Sequence, residues 1–373
     1  MAAAPPTDDP WGVVDMIGQS PPVNCSKPYD TATLAGKTII ITGGASGFGA
    51  AFARHWAGHG SHIIIGDVND RAGEALIAEL RTSCPSPSSQ VLLYQHCDVT
   101  SWSDQLALFN AARAASPTGA IDAVVAGAGI VEKGDPLNPS PRGGVFDLPS
   151  APQDPTQDLH PPRLKVLAVN LTGVMYTAHL ALYHLPLNPS PKNDRHLLLV
   201  SSIAGVSPLP GQTEYTTSKH AVMGLFRALR ATAWTTKRVR VNVLNPYFVA
   251  TPLLPPVGLA LLAGGAKAEL EDVVDAATRF VADEAVRGRA LVVGPKMRVR
   301  DEGEGGEVEF LEGRREVAPG ERVQAVWEIH GHDYERVEVF VWRYLKVLNI
   351  MRGIQGWVGL VRDLWGICFG ARR

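Results

Sequence analysis

A β-branched run, Thr38-Ile-Ile-Ile-Thr42, passes without a break into Gly43-Gly-Ala-Ser46-Gly47-Phe48-Gly49 and then into an alanine-rich stretch that ends near Trp56. No other feature of the chain limits its fold so sharply. Strand, glycine turn and helix in that order bring backbone amides and the positive end of a helix to one point, where a pyrophosphate fits. The rest of the chain repeats the alternation. Short apolar runs at Thr38–Thr42, His62–Gly66, Val91–His96, Ala123–Ala126, His196–Ser201, Arg238–Leu244 and Ala290–Val293 are separated by longer stretches of helical pattern. That is the signature of βαβ units. The expected fold is therefore α/β, a doubly wound seven-stranded parallel sheet with helices on both faces, plus a C-terminal extension.

With 373 residues, 45% of them hydrophobic, the chain can bury a large core, and one main domain with appendages accounts for the pattern. Residues 1–33 read as an irregular, proline-rich tail and residues 34–297 as the main domain. A long proline-rich loop over 134–162 stands near the carboxyl ends of the strands. Residues 298–322 read as a charged, glycine-rich loop. Residues 323–373 read as an extension with a strand at Val323–Ile329, a helix opening near Asp333, and a tail from Arg343 to Arg373 that carries six Arg or Lys against the single acid Asp363. Two readings of that tail stay open: packing on the main domain or a subunit interface, and weak peripheral contact with an anionic membrane.

Net charge and cysteine usage exclude several classes. A balance of -2 gives no reason to expect nucleic-acid binding. Cys25, Cys84, Cys97 and Cys368 lack CxxC spacing, which argues against a zinc site or a disulfide framework and for a reducing compartment. The first residues read as neither signal nor transit peptide, and no run is apolar enough for a transmembrane helix, so a cytoplasmic location is expected. His330 and His332 without further ligands read as a solvated turn, and no metal is expected.

Three further features carry chemistry. Asp67 closes the second strand about twenty residues beyond the glycine turn, where a carboxylate hydrogen-bonds ribose hydroxyls and repels a 2′-phosphate. It selects NAD over NADP, and the neutral Ser46 agrees, while Arg71 nearby keeps NADP open. Tyr215 and Lys219 stand four residues apart on one helix face, with Ser202 thirteen residues upstream of the tyrosine. Making a tyrosine a base near pH 7 requires a shift of ~3 units, about 4 kcal/mol. One positive charge at about 4 Å in a dielectric of ~20 supplies roughly that much. Chance alone yields about 0.2 Tyr-x-x-x-Lys pairs in a chain of this make-up, so the pair draws its weight from its surroundings.

Those surroundings resemble the short-chain dehydrogenase/reductase family over roughly Leu34 to Pro295. The family's cofactor loop matches Thr42 to Gly49, including Thr42, Gly43, Ser46, Gly47, Phe48 and Gly49. Its adenine-contacting acid matches Asp98, followed by Val99, and its Asn on the long central helix matches Asn170. Ser202, Tyr215 and Lys219 match its serine, tyrosine and lysine, and Thr251, in Pro246-Tyr-Phe-Val249-Ala-Thr251, matches the threonine that holds the nicotinamide carboxamide. The resemblance implies NAD held by these residues together with Ala128, Gly129, Pro246 and Val249. It implies catalysis by Asn170, Ser202, Tyr215 and Lys219, and a homo-oligomer. Ser201 competes with Ser202, but the thirteen-residue spacing favours the latter.

Two places depart from the family. Ala126-Gly127-Ala128-Gly129 stands where Asn-Asn-Ala-Gly is usual, losing the side-chain amides that brace the strands, and Tyr247 follows Pro246 where glycine is usual. Neither removes a proton-transfer group. The apolar run 252–262 and the facing Val206–Pro210 imply a hydrophobic secondary alcohol or ketone of lipid, steroid or polyketide type. Within the family the chain is similar to 15-hydroxyprostaglandin dehydrogenases and to fungal hydroxyanthraquinone-pathway (5'-hydroxyaverantin) dehydrogenases. An NADP-linked ketone reductase and a non-catalytic NAD-binding scaffold are the alternatives.

Overall fold

A computed structural model describes residues 16–85, 89–132, 164–188, 194–209, 211–254, 267–302, 307–311, 317–329 and five positions between 346 and 354. The strands are β1 (Thr38–Thr42), β2 (His62–Asp67), β3 (Leu92–His96), β4 (Ala123–Ala126), β5 (His196–Val200), β6 (Arg240–Pro246), β7 (Ala290–Glu302), β8 (Glu307–Leu311) and β9 (Glu321–Ile329). The α-helices are α1 (Gly47–Gly58), α2 (Asp70–Ser83), α3 (Trp102–Ala115), α4 (Lys165–Leu167), α5 (Val174–His184), α6 (Thr213–Arg230), α7 (Ala233–Lys237) and α8 (Leu270–Ala282), with a π turn, Ala168–Gly173, joining α4 to α5.

The first seven strands are parallel in the order β3-β2-β1-β4-β5-β6-β7. Their near-continuous apolar sequences follow from burial on both faces. Ile39, Ile41, Ile63 and Ile65 pack with α1, α2 and α8, whereas Ile40, Ile64, Val124 and Leu197 pack with α3, α5 and α6. The chain changes winding direction between β3 and β4, which opens a crevice at the carboxyl ends of β1 and β4. The stretch Lys165–Leu187 is long and apolar enough to cross a membrane, but 44% of its most apolar window is buried in the protein. Val174, Ala178 and Ala181 seat it on the sheet as a core helix.

The sheet is longer than the seven strands expected. β7 runs on to Glu302, and β8 and β9 pair with it antiparallel, so the sheet has nine strands among the described residues. At 298–302, 307–311 and 321–322 this corrects the reading of 298–322 as a loop. The charges that pointed to a loop alternate with apolar residues and meet across the strands: Arg300 pairs with Glu309 at 2.8 Å and Glu321 at 3.1 Å, and Arg298 with Glu321 at 3.6 Å.

Residues Gln19–Gly331 form one compact unit. Within it the N-terminal segment is fixed to the body: Gln19 Nε2 donates to the Gly288 carbonyl, Tyr29 Oη to Asp275, and Arg279 to the carbonyls of Asn24, Cys25 and Lys27. A second unit comprises Met1–Gly18 and His332–Arg373. Its described C-terminal residues, Lys346, Val347, Ile350, Met351 and Ile354, are helical and exposed. The loop 134–162, His330 and His332, the helix near Asp333, most of the run 252–262 and most of the basic tail lie outside the described residues.

Candidate active site

The glycine turn is built for close approach. Gly43 has φ +70°, and a Cβ there would lie 2.7 Å from Ala128 Cα on the neighbouring loop. At Gly49 a Cβ would drive into the Gly43 carbonyl oxygen. No residue but glycine fits either position. Behind the turn, α1 begins at Gly47 with no side-chain bond from its N-cap Ser46 and no acid in its first turn, so the first amides and the helix dipole are left for an anion. The cradle therefore fits a dinucleotide pyrophosphate. Phe48 is partly buried and stacks on Phe52 at 6.4 Å, fixing α1 to the core.

Asp67 Oδ2 accepts from Ala45 N at 3.0 Å, so the carboxylate is held beside the glycine turn, and Oδ1 accepts from Asn69 N. Asp98 Oδ1 takes the Thr100 amide and hydroxyl, which fixes the turn after β3. Val99 is buried against Gly173 of the central helix. Val249 bridges to Ala268, and Thr251 stands 3.8 Å from where a Cβ on Gly47 would be, bringing the segment after β6 to the cofactor turn.

Both departures find a physical account. The Thr42 hydroxyl donates to the Val125 carbonyl at 3.2 Å and accepts from Gly127 N at 3.1 Å, so it braces β1 to β4 where the missing amides would have done so. Tyr247, next to Pro246, packs on the α1/α8 face of the core and edges onto Phe248 at 4.8 Å.

Ser202, Tyr215 and Lys219 are buried together at the carboxyl end of β5 and the start of α6. The Ser202 hydroxyl hydrogen-bonds the Tyr215 phenol and accepts from Ala204 N. Lys219 Nζ donates to the Val200 carbonyl at 3.1 Å and lies 5.6 Å from the Tyr215 ring centre. Ser201 Oγ instead donates to the Lys219 carbonyl, a backbone-fixing role that leaves Ser202 as the serine beside the phenol. Asn170, fully buried on the π turn, accepts from Ile130 N and donates to the Ile130 carbonyl and Ser218 Oγ. A Cβ on Gly129 would stand 3.4 Å from Asn170 Oδ1 and 3.5 Å from Lys219 Nζ, so glycine keeps that space open. Pi turns occur often at functional sites.

Residues 37–259 match the family model for short chain dehydrogenases. The chain belongs to the short chain dehydrogenase family. It is an NAD(P)-dependent oxidoreductase acting on CH–OH groups, similar to the 5'-hydroxyaverantin dehydrogenase of Dothistroma septosporum, with 38% identity over 280 residues covering 72% of this chain and 87% of that one. It is 36% identical over 286 residues to the 5'-hydroxyaverantin dehydrogenase stcG of Emericella nidulans, with 72% and 87% covered. Among solved structures it resembles a 3-ketoacyl-(acyl-carrier-protein) reductase from Brucella melitensis complexed with NADH, with TM-score 0.57, 25% identity, and 70% of this chain and 97% of that one covered.

In this dehydrogenase the two titrating groups lean in opposite directions. Burial pushes the Tyr215 phenol above its ordinary range, and the Ser202 hydrogen bond draws it partly back. Burial also draws the Lys219 ammonium down to about 8. The sequence led us to expect a lysine that lowers the tyrosine, but desolvation of the phenol is the larger effect. Sequence reasoning missed Ser218, whose hydroxyl links Asn170 to the Tyr215 carbonyl, and the carboxylates Glu132 and Glu214 that hold the start of α6. Glu132 lies 82 residues away in sequence from its partner, and no spacing reveals such a bond.

Proposed function

We propose that this dehydrogenase interconverts a hydrophobic secondary alcohol and its ketone with NAD, using Tyr215 as the proton-transfer group. The observation that carries the reading is the buried Ser202–Tyr215–Lys219 cluster beside an apolar wall formed by Ile130, Val131, Val166, Ala204 and Leu209. NAD supplies the hydride acceptor when bound. Tyr215 takes the alcohol proton in oxidation and returns it in reduction. Ser202 orients the substrate oxygen and stabilises the charge that develops on it. Lys219 would lower the phenol when charged and would hold the nicotinamide ribose, while Asn170 holds the backbone of Ile130 beside it. The apolar wall and the names of the relatives support a substrate from secondary metabolism.

Asp67 supports NAD, because its carboxylate already sits on the Ala45 amide beside the ribose position and repels a 2′-phosphate. A reading with NADP has its own support: the NADP-dependent dehydrogenase M3 of Phoma sp. is 30% identical over 292 residues. Titration with NADH and NADPH separates the two. We expect Asp67→Ala to move the affinity ratio toward NADPH by about tenfold or more, the order of effect of removing one like-charge contact. An unchanged ratio would place selection elsewhere.

Exposed Trp102, Met175 and Tyr183 on α3 and α5 support a homo-oligomer that covers this face. Light scattering on Tyr183→Glu against the parent chain is expected to show a smaller assembly. Cys25, Cys84 and Cys97 are free thiols, which accords with a reducing, cytoplasmic setting.

A further inference from the structure

The helix that carries Tyr215 and Lys219 has no cap of its own. Gln212, at its N-cap, makes no side-chain bond to the first turn, and its Oε1 is buried without a partner among the described residues. The first amides of any helix lack intrahelical acceptors, and a turn without a cap opens readily. Here the amide of Glu214, the residue next to Tyr215, donates to Glu132 Oε1 at 2.8 Å. Glu132 comes from the segment that leaves β4, so α6 is capped by a distant part of the chain. The other carboxylate oxygen of Glu132 is buried without a partner among the described residues. The positive end of α6 is therefore the visible support for this charge.

Two more bonds close a circuit around the phenol. Glu214, 2% exposed, turns its own carboxylate to accept from Leu167 N at 2.9 Å, on the helix segment that leads into the π turn. Asn170 on that turn holds both backbone polar atoms of Ile130, two residues before Glu132. Inside the circuit, Tyr215 clusters with Val166 and Ala204, and Ile130 and Val131 pack against that cluster. The start of α6, the π turn and the loop after β4 are thus fixed to one another by buried polar groups, and the Tyr215 side chain leaves α6 at the point where they meet.

We propose that Glu132 is a positioning residue for Tyr215, capping α6 from the loop after β4 and so setting where the phenol stands. It acts through the helix and not on the substrate, and the proposal rests on the reading of Tyr215 as the proton-transfer group. A reacting group displaced by about 1 Å loses on the order of a hundredfold in rate. Glu132→Ala, and Glu132→Asp with one methylene fewer, are expected to lower kcat about 10- to 100-fold while the KM for NAD stays within about twofold. Glu132→Gln keeps the acceptor oxygen and is expected to recover kcat to within about threefold of the parent.

Backbone hydrogen exchange supplies a readout that needs no turnover. The amides of Glu214 and Tyr215 are expected to exchange faster in Glu132→Ala and Glu132→Asp than in the parent or in Glu132→Gln. If Glu132→Ala fails to fold, Glu132→Asp decides. Unchanged kcat and exchange in Glu132→Asp, a Glu132→Gln variant as slow as Glu132→Asp, or an equal loss of NAD affinity would each overturn the proposal. Failure of the Tyr215 reading looks different: Tyr215→Phe would keep its turnover whatever the exchange rates at Glu214.

Discussion

Replacing Tyr215 by phenylalanine is expected to lower kcat by about 10²–10⁴-fold in both directions, the range that a positioned acid or base contributes. NADH affinity should stay within about twofold, because the glycine turn, Asp67 and Thr251 are untouched. Nothing else in the cluster replaces the phenol. The Ser202 hydroxyl already accepts from Ala204 N, and the Lys219 ammonium donates to the Val200 carbonyl. The pH dependence follows from the same burial. Desolvation keeps the phenol protonated, which favours ketone reduction, and Lys219 loses its proton as pH rises through about 8. Loss of the Lys219 charge raises the phenol further, so reduction should hold from neutral pH up to the raised range where the phenol itself titrates, while alcohol oxidation rises only as the phenol is titrated. Initial rates measured in both directions across pH check this, and identical profiles in the two directions would contradict it.

The second large effect lies at the opposite end of the sheet. Asp194, just before β5, accepts from Arg240 Nε and Nη2 at 2.8 and 2.6 Å and from Lys37 Nζ at 2.9 Å, with all three side chains buried. Arg240 also donates to the carbonyls of Phe280, Asp283 and Val286, so one guanidinium joins β6, α8 and the turn after it. Asp194→Ala leaves that cation buried without its counter-ion, which costs about 3–5 kcal/mol. At ~2–4 °C per kcal/mol for a domain of this size, the melting temperature should fall on the order of 10 °C.

Folded activity should survive, because this network stands at the amino ends of the strands and the site at their carboxyl ends. The sign with pH is fixed as well. Arg240 and Lys37 hold the Asp194 carboxyl well below its ordinary range despite its burial. Its contribution is therefore complete above the unfolded range near ~4 and is lost as pH falls toward the folded value. His196 adds in the same direction. Buried and accepting from Asn242 through Nε2, it is pushed well below the ordinary histidine range, so stability also declines as pH drops below ~6.5. Thermal unfolding of the parent and of Asp194→Ala between neutral and acid pH measures both.

Much of this was legible in the sequence because it is written locally. The strands β1 to β6 announce themselves as short apolar runs, and the glycine turn joins a strand and a helix that touch in the chain. Tyr215 and Lys219 share a helix face by spacing alone. What escaped reading depends on partners far apart. Thr42 bracing β4, Asp67 on the Ala45 amide and Glu132 on α6 are contacts that only the folded sheet creates. The β8 hairpin escaped for another reason. Its charges read as a solvated loop, and only the antiparallel register shows that Arg300 faces Glu309. The raised Tyr215 phenol was likewise out of reach, since desolvation is a property of the whole core.

The central claim is hydride transfer from the carbinol carbon of a hydrophobic secondary alcohol to NAD, with Tyr215 taking the proton. Alcohols deuterated at that carbon, offered one by one with NAD, test it directly when the reduced cofactor is examined by mass spectrometry. The account predicts deuterium in NADH with at least one apolar secondary alcohol, and its loss in Tyr215→Phe. Tight NADH binding with no label transferred from any alcohol, or label transferred equally well by Tyr215→Phe, would contradict it.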